Sequence, residues 1–185
     1  MPAPESLQDA KKLLTENGFA VADTWYHGTS SALLESILSK GLNRSGDKAI
    51  KQAAKQTMAT IGNAYTETIE PVFLTQSKEL AYYWAEQAVK NRAVRFAGEE
   101  TPVVLAVKLP AELNAAVKPD VGAASLLMTK EGEGYMAFIT SLYDSAGLAV
   151  PAIDLMKADR MDYLNLLGMA YYNKDIAAEF VTELQ

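Results

Sequence analysis

The sequence predicts an α+β fold, and three observations carry that prediction. The chain has 185 residues, enough for one domain with a buried core. Apolar residues make up 49% and charged residues 22%, an ordinary globular balance rather than a disordered one. Segments with strand-like apolar runs are mixed with segments of helical spacing, and neither an internal repeat nor a low-complexity linker divides them.

Taken in order, Ser6–Glu16 sets Leu7, Ala10, Leu13 and Leu14 on one side of a helix, so residues 1–18 read as an N-terminal helix that stops at Asn17-Gly18. Phe19 to Tyr26 is apolar and aromatic and reads as a strand ending at His27. Ser30 or Ser31 caps a second helix with Leu33, Leu34, Ile37 and Leu38 on its inner face, and Gly41 ends it. Lys48 to Ile61 contains good helix formers but few large apolar residues, which suits an exposed helix or a loop. Pro71 precedes the short strand Val72-Phe73-Leu74-Thr75, and Ser77 caps a helix to about Asn91. Val103 to Lys108, bounded by Pro102 and Pro110, is the clearest strand. Ala123–Met128 and Tyr135–Tyr143 read as helical, Asp159 as the cap of a helix through Ala170, and Ile176–Leu184 as a final strand. Tyr171 and Tyr172 read as residues that close the core beside that strand.

Composition narrows the chemistry. With no cysteine, disulfides, thiol catalysis and cysteine-based zinc sites are excluded. With one histidine, a two-histidine metal site is excluded, so no metal is expected and any imidazole chemistry falls to His27. No apolar run reaches the roughly 18 residues that span a membrane. No apolar core follows the N-terminus as in a secretory signal, so a cytoplasmic protein, or an effector secreted without such a signal, is expected. A net charge of −6 argues against a generally nucleic-acid-binding surface. The charge is uneven, however: Lys40, Arg44, Lys48, Lys51 and Lys55 face one acid, Asp47, whereas six bases stand against eleven acids from Thr101 onward. That basic segment is either a solvated helix face or a flap that attracts a pyrophosphate or another anionic partner.

Two motifs carry possible nucleotide chemistry. Gly132-Glu133-Gly134-Tyr135-Met136-Ala137 fits a dinucleotide fingerprint, but no strand–turn–helix unit surrounds it and Glu131 and Glu133 would repel a pyrophosphate. Tyr26-His27-Gly28-Thr29 places an imidazole after an aromatic strand, then a glycine that lets backbone approach a flat ligand, then hydroxyls at a helix start. Taken alone, His27 could equally satisfy a buried carbonyl at a turn.

That run, followed by Ser36-Ile37-Leu38-Ser39-Lys40-Gly41-Leu42, resembles the opening of the ADP-ribosyltransferase superfamily, in its class with diphtheria toxin, the poly(ADP-ribose) polymerases and the tRNA 2′-phosphotransferases. Val72-Phe73-Leu74-Thr75, Ser77 and Ala81-Tyr82-Tyr83 resemble the second block of that class, and Pro102–Pro110 its next core strand. The resemblance covers residues 25–109. It implies a split, mostly antiparallel sheet with a central NAD cleft and peripheral helices, and a reaction that transfers ADP-ribose from NAD to a protein or nucleic-acid acceptor with release of nicotinamide, as in toxins and effectors. It implies that His27 holds a ribose, that Gly28 pairs with the nicotinamide carboxamide, and that Phe73 and Tyr83 sandwich the ring. Thr29, Ser77 and Arg44 complete the cofactor-binding set, with Arg44 open to a phosphate role. The family has tyrosine where this chain has Phe73, which keeps the ring face and loses the hydroxyl.

The third block of the family is a late-strand glutamate beside the developing oxocarbenium ion. Glu179 is the first choice, because Ile176-Ala177-Ala178-Glu179-Phe180-Val181 resembles an Ile-Pro-Pro-Glu-Phe-Ile run of some relatives, with both prolines replaced. Glu183 is the second choice, and Glu131 or Glu133 a remote third. The implied catalytic pair is therefore His27 and Glu179. Without an active glutamate the same fold would be a non-catalytic NAD or ADP-ribose binder, or a protein-interaction domain. Removal of a 2′-phosphate from RNA would need a compact basic cleft, which Arg44 and nearby lysines supply poorly.

Overall fold

A computed structural model describes residues 2–60 and 69–184. Ile61, the expected end of the basic segment, lies outside them. The N-terminal helix is shorter than its periodicity suggests. A 3-10 turn at Glu5–Leu7 is followed by α1 (Ala10–Leu13) and then a hairpin of β1 (Leu14–Thr15) and β2 (Gly18–Phe19). The Thr15 hydroxyl donates to the Gly18 carbonyl at 3.1 Å and accepts from the Asn17 N–H at 3.2 Å. Gly18 sits at φ 94°, so Asn17-Gly18 turns the chain back instead of ending a helix.

The expected strand over Phe19–Tyr26 is divided. Phe19 belongs to β2, and β3 (Thr24–Ser30) begins later and runs three residues past His27. The Ser30 hydroxyl then accepts from the Ala32 N–H and caps α2 (Ser31–Lys40). Next come α3 (Lys48–Thr60), β4 (Val72–Leu74), α4 (Lys78–Ala93, capped by Ser77) and β5 (Pro102–Lys108). The C-terminal part holds α5 (Ala111–Asn114), β6 (Lys118–Pro119), α6 (Ala123–Leu127), α7 (Lys130–Ser145), α8 (Arg160–Asn165), β7 (Ala170–Tyr172) and β8 (Val181–Glu183).

Two C-terminal readings are corrected. Asp159 does cap α8, with a reciprocal bond from Asp162, but the helix stops at Asn165 instead of reaching Ala170. Gly168, at φ 64°, turns the chain where a Cβ would overlap the Leu80 side chain, and Ala170–Tyr172 leaves the turn as a strand. The final strand is Val181–Glu183 only. Ile176 makes an isolated bridge to Leu42, and Ala178–Phe180 forms a 3-10 turn between them.

Among the described residues the fold is α+β, with antiparallel sheets. Besides the β1–β2 hairpin there are two three-stranded sheets, ordered β3-β5-β8 and β4-β7-β6. They touch at one bridge, where the Tyr26 N–H donates to the Thr75 carbonyl at 2.8 Å and the Thr75 N–H returns the bond at 3.0 Å. Helix α4 lies on one face of the first sheet, so close that a Cβ on Gly28 would overlap the Ala81 carbonyl oxygen. The other face buries Trp25, Leu105, Val107 and Val181 against Leu42, Val72, Leu74 and Tyr172. Beyond α4, Leu80 packs on Tyr135, Ile139 and Tyr143 of α7. Each large apolar side chain so buried contributes about 1.5–3 kcal/mol.

Candidate functional site

The alternation of β3 fixes what its residues face. Tyr26 turns its N–H and C=O toward Thr75, so Trp25, His27 and Thr29 turn theirs toward β5. Two residues on from Tyr26, Gly28 points its N–H and C=O to the same edge as Tyr26. Continued ladder pairing from Tyr26–Thr75 would place Phe73 opposite Gly28, yet β3 and β4 form only the one bridge. No described strand pairs with Gly28 on that edge.

Where the two strands part, the Phe73 carbonyl lies 2.8 Å from His27 Nδ1. A carbonyl only accepts, so Nδ1 carries the proton and Nε2 of the neutral ring is left as an acceptor. Burial pushes the His27 pKa below the usual 6.5, against the opposing effect of the Phe73 carbonyl. The imidazole is therefore neutral near pH 7, with its tautomer set by β4. The Phe73 ring is 45% exposed, whereas Val72 and Leu74 on either side are buried. The ring alternates with Val72 and Leu74, which are core, so it points away from them, and it is the Phe73 carbonyl that meets His27.

Across the first sheet, His27 is paired with Leu105, and Leu105 with Glu183. Directly paired residues share a face, so Glu183 stands on the His27 face, two strand spacings or roughly 10 Å away along the row. It is exposed. Glu179 is exposed too, but it lies in the 3-10 turn before β8 and outside the ladder. The neighbouring row, Trp25–Val107–Val181, separates Glu179 from the His27 row.

The other residues proposed from the sequence are placed as follows. Thr29 is buried, on the His27 face of β3. Ser77 is fully buried and caps α4, where its hydroxyl accepts from the Leu80 N–H and donates to Asp9 at 2.6 Å. The Asp9 carboxylate also accepts from the Lys78 and Glu79 N–H groups at 2.9 and 3.2 Å. Ser77 is thus engaged within the protein. Tyr83 is not brought to His27. Its ring stacks on Phe138 at 4.8 Å and meets Trp84 and Tyr135, on the side of α4 away from the sheet. The reason is helical geometry: Ala81 and Ala85 take the sheet side, which turns residue 83 outward. Arg44 donates through its guanidinium to Asn173 at 3.2 Å and through its N–H to Asp175 at 2.7 Å, at the exit of β7. Within the glycine-rich run, Gly132 is buried in the first turn of α7, where a Cβ would overlap Leu127.

Sequence reasoning missed one ionic cluster. Arg92, at the end of α4, is ion-paired with both Asp47 and Glu100, and Glu100 also accepts from the Ser30 hydroxyl. Arg92 holds the Glu100 pKa below the usual carboxylate range. Separation is why this was missed, since the partners come from four segments. A cavity of about 270 Å³ lies elsewhere, on the outer side of α4, lined by Glu79, Tyr82, Tyr83, Glu86 and Phe138 among others. Among the described residues no group of three His, Asp or Glu side chains is placed to hold a metal ion, and no helix is long and apolar enough to cross a membrane.

Comparison of the chain with protein-family models, with curated proteins and with solved structures returns no match.

Proposed function

We propose that this protein binds NAD where β3 and β4 part and transfers its ADP-ribose to a macromolecular acceptor. The observation that carries the reading is the grouping at that point. The Gly28 N–H and C=O face an edge that no described strand pairs with, the neutral His27 offers Nε2, the strand whose carbonyl holds His27 exposes the Phe73 ring, and Glu183 stands in the His27 row. An amide such as the nicotinamide carboxamide donates and accepts at once, which complements one backbone N–H and C=O. Nε2 accepts from a ribose hydroxyl, and Phe73 stacks on the ring, worth about 0.5–1.5 kcal/mol beyond its buried area.

In the reaction the bond between the nicotinamide nitrogen and ribose C1′ breaks. Its electron pair leaves with neutral nicotinamide, and C1′ gains oxocarbenium character. The acceptor then adds to C1′ and loses its proton. Glu183 is the carboxylate assigned to stabilise that cation and to orient the ribose hydroxyl, in place of Glu179.

Mutation separates the two carboxylates. Glu183→Gln should lower nicotinamide release roughly 10²–10³-fold and leave the thermal shift on NAD addition in place, whereas Glu179→Gln should leave both unchanged. Equal losses in the two variants would remove the assignment. The second reading, a binder of NAD or ADP-ribose without transfer, is favoured by Tyr83, whose ring is already stacked on Phe138. It predicts a thermal shift with either compound and no nicotinamide release from any lysate. Absence of both would sink both readings.

A further inference from the structure

The charge of the chain is concentrated in one place. Residues 40–60 hold five bases and one acid, a balance of +4 in a chain of −6, so the remainder carries −10. Lys48, Lys51 and Lys55 follow i, i+3, i+7 spacing, which sets them along one side of α3. Lys40, Lys48 and Lys55 are exposed. Two acids beside this segment are engaged: Asp47 by Arg92 and by the first turn of α3, and Asp175 by the Arg44 N–H. Among the described residues, Glu70 and Asp175 are exposed acids there.

The root of α3 is tied to both strands that part at His27. Ser45 donates its N–H to the Glu70 carbonyl at 2.8 Å and accepts from the Glu70 N–H at 3.0 Å, two residues before β4. Asp47 reaches Ser30, the last residue of β3, through Arg92 and Glu100. The basic helix therefore springs from the mouth of the proposed site.

We infer that α3 docks the phosphate backbone of a nucleic acid and that this nucleic acid is the acceptor; the acceptor role rests on the transfer reading, the docking does not. The chemistry of the helix selects this partner over an acidic protein. By sequence α3 offers lysines and glutamines among small residues, with no aromatic residue and with Ile50 and Met58 its large apolar ones. A protein interface needs buried aromatic or aliphatic anchors at its centre. A phosphate backbone needs evenly spaced cations, and contacts of that kind carry no sequence preference.

The test is fluorescence anisotropy with a short labelled single-stranded oligonucleotide, as RNA and as DNA, on the full chain. Contacts from the two exposed lysines of the helix, Lys48 and Lys55, predict a salt slope of about −1.4, so affinity should fall about 7-fold from about 50 to about 200 mM salt. Lys48→Glu/Lys51→Glu/Lys55→Glu should abolish binding with helix content and melting temperature retained, and Lys48→Gln/Lys51→Gln/Lys55→Gln should flatten the slope. Failure of the wild type to bind, or undiminished binding by the folded glutamate variant, overturns the inference. Equal binding of polyglutamate, or self-association lost in the glutamate variant, overturns it in favour of an acidic protein or a second copy. His27→Ala should keep oligonucleotide binding while abolishing the NAD shift. Docking without any nicotinamide release would therefore refute transfer and leave the α3 surface standing, and release without docking would do the reverse.

Discussion

At the scale of single residues, His27 is the most constrained side chain of the proposed site. Its Nδ1 is held by the Phe73 carbonyl, and burial keeps its pKa below the usual 6.5. The sign of the resulting pH dependence follows from proton counts. Between the folded value and about 6.5 the unfolded chain binds more protons at this position than the folded one. Stability from His27 is therefore complete above about pH 6.5 and is lost as pH falls below it. His27→Asn should remove that component. Melting temperatures compared between about pH 7.5 and about pH 5.5 should fall more steeply in the wild type than in the variant, and parallel curves would show that the imidazole is not held neutral. Gly28 beside it serves two surfaces at once. Its missing side chain admits α4, and its backbone faces the parting of the strands.

At the scale of elements, the N-terminal segment and α4 hold each other. Asp9 bonds the Ser77 hydroxyl and two free N–H groups of the first turn of α4, and the Ala10 N–H returns a bond to Glu79 at 3.2 Å. A carboxylate there also meets the positive end of the helix dipole. Asp9→Ala should cost about 1–2 kcal/mol in urea unfolding, and Asp9→Asn less, because its amide oxygen can still accept. Elements with their own stops were legible in the sequence. Ser77 starts α4, Pro102 and Pro110 bracket β5, and Ser30 starts α2, each by local chemistry. Strand β7 was hidden, because Ala170–Tyr172 is short and becomes a strand only by pairing with β4 and β6. The same limit applies to the site. His27 and Phe73 stand in local patterns that could be read. The choice between Glu179 and Glu183 depends on register against β5, set by partners more than seventy residues away.

At the scale of the molecule, Arg92 connects what the local patterns leave apart. One guanidinium, on a side chain 9% exposed, joins the start of α3 through Asp47, the loop before β5 through Glu100, and through Glu100 the end of β3 at Ser30. Removing it leaves two carboxylates, each 15% exposed at the side chain, facing one another without a cation. Breaking a largely buried pair from one side costs far more than the pair contributes, so Arg92→Ala should lose about 3 kcal/mol. Arg92→Lys should recover part of this, because one ammonium supplies the charge but cannot present the two-sided fork. Acid adds a second signature. Arg92 depresses the Glu100 pKa, so the stability this carboxylate contributes is present above its ordinary value of 4.5 and lost as pH falls through and below it. In Arg92→Ala that acid-dependent loss should shrink, because Glu100 no longer has its cation when folded. A urea series at neutral and at acid pH checks both effects. A variant as stable as the wild type, with an unchanged acid response, would mean that α3 is not anchored to the sheets through Arg92. The basic helix would then have no fixed place at the mouth of the proposed site.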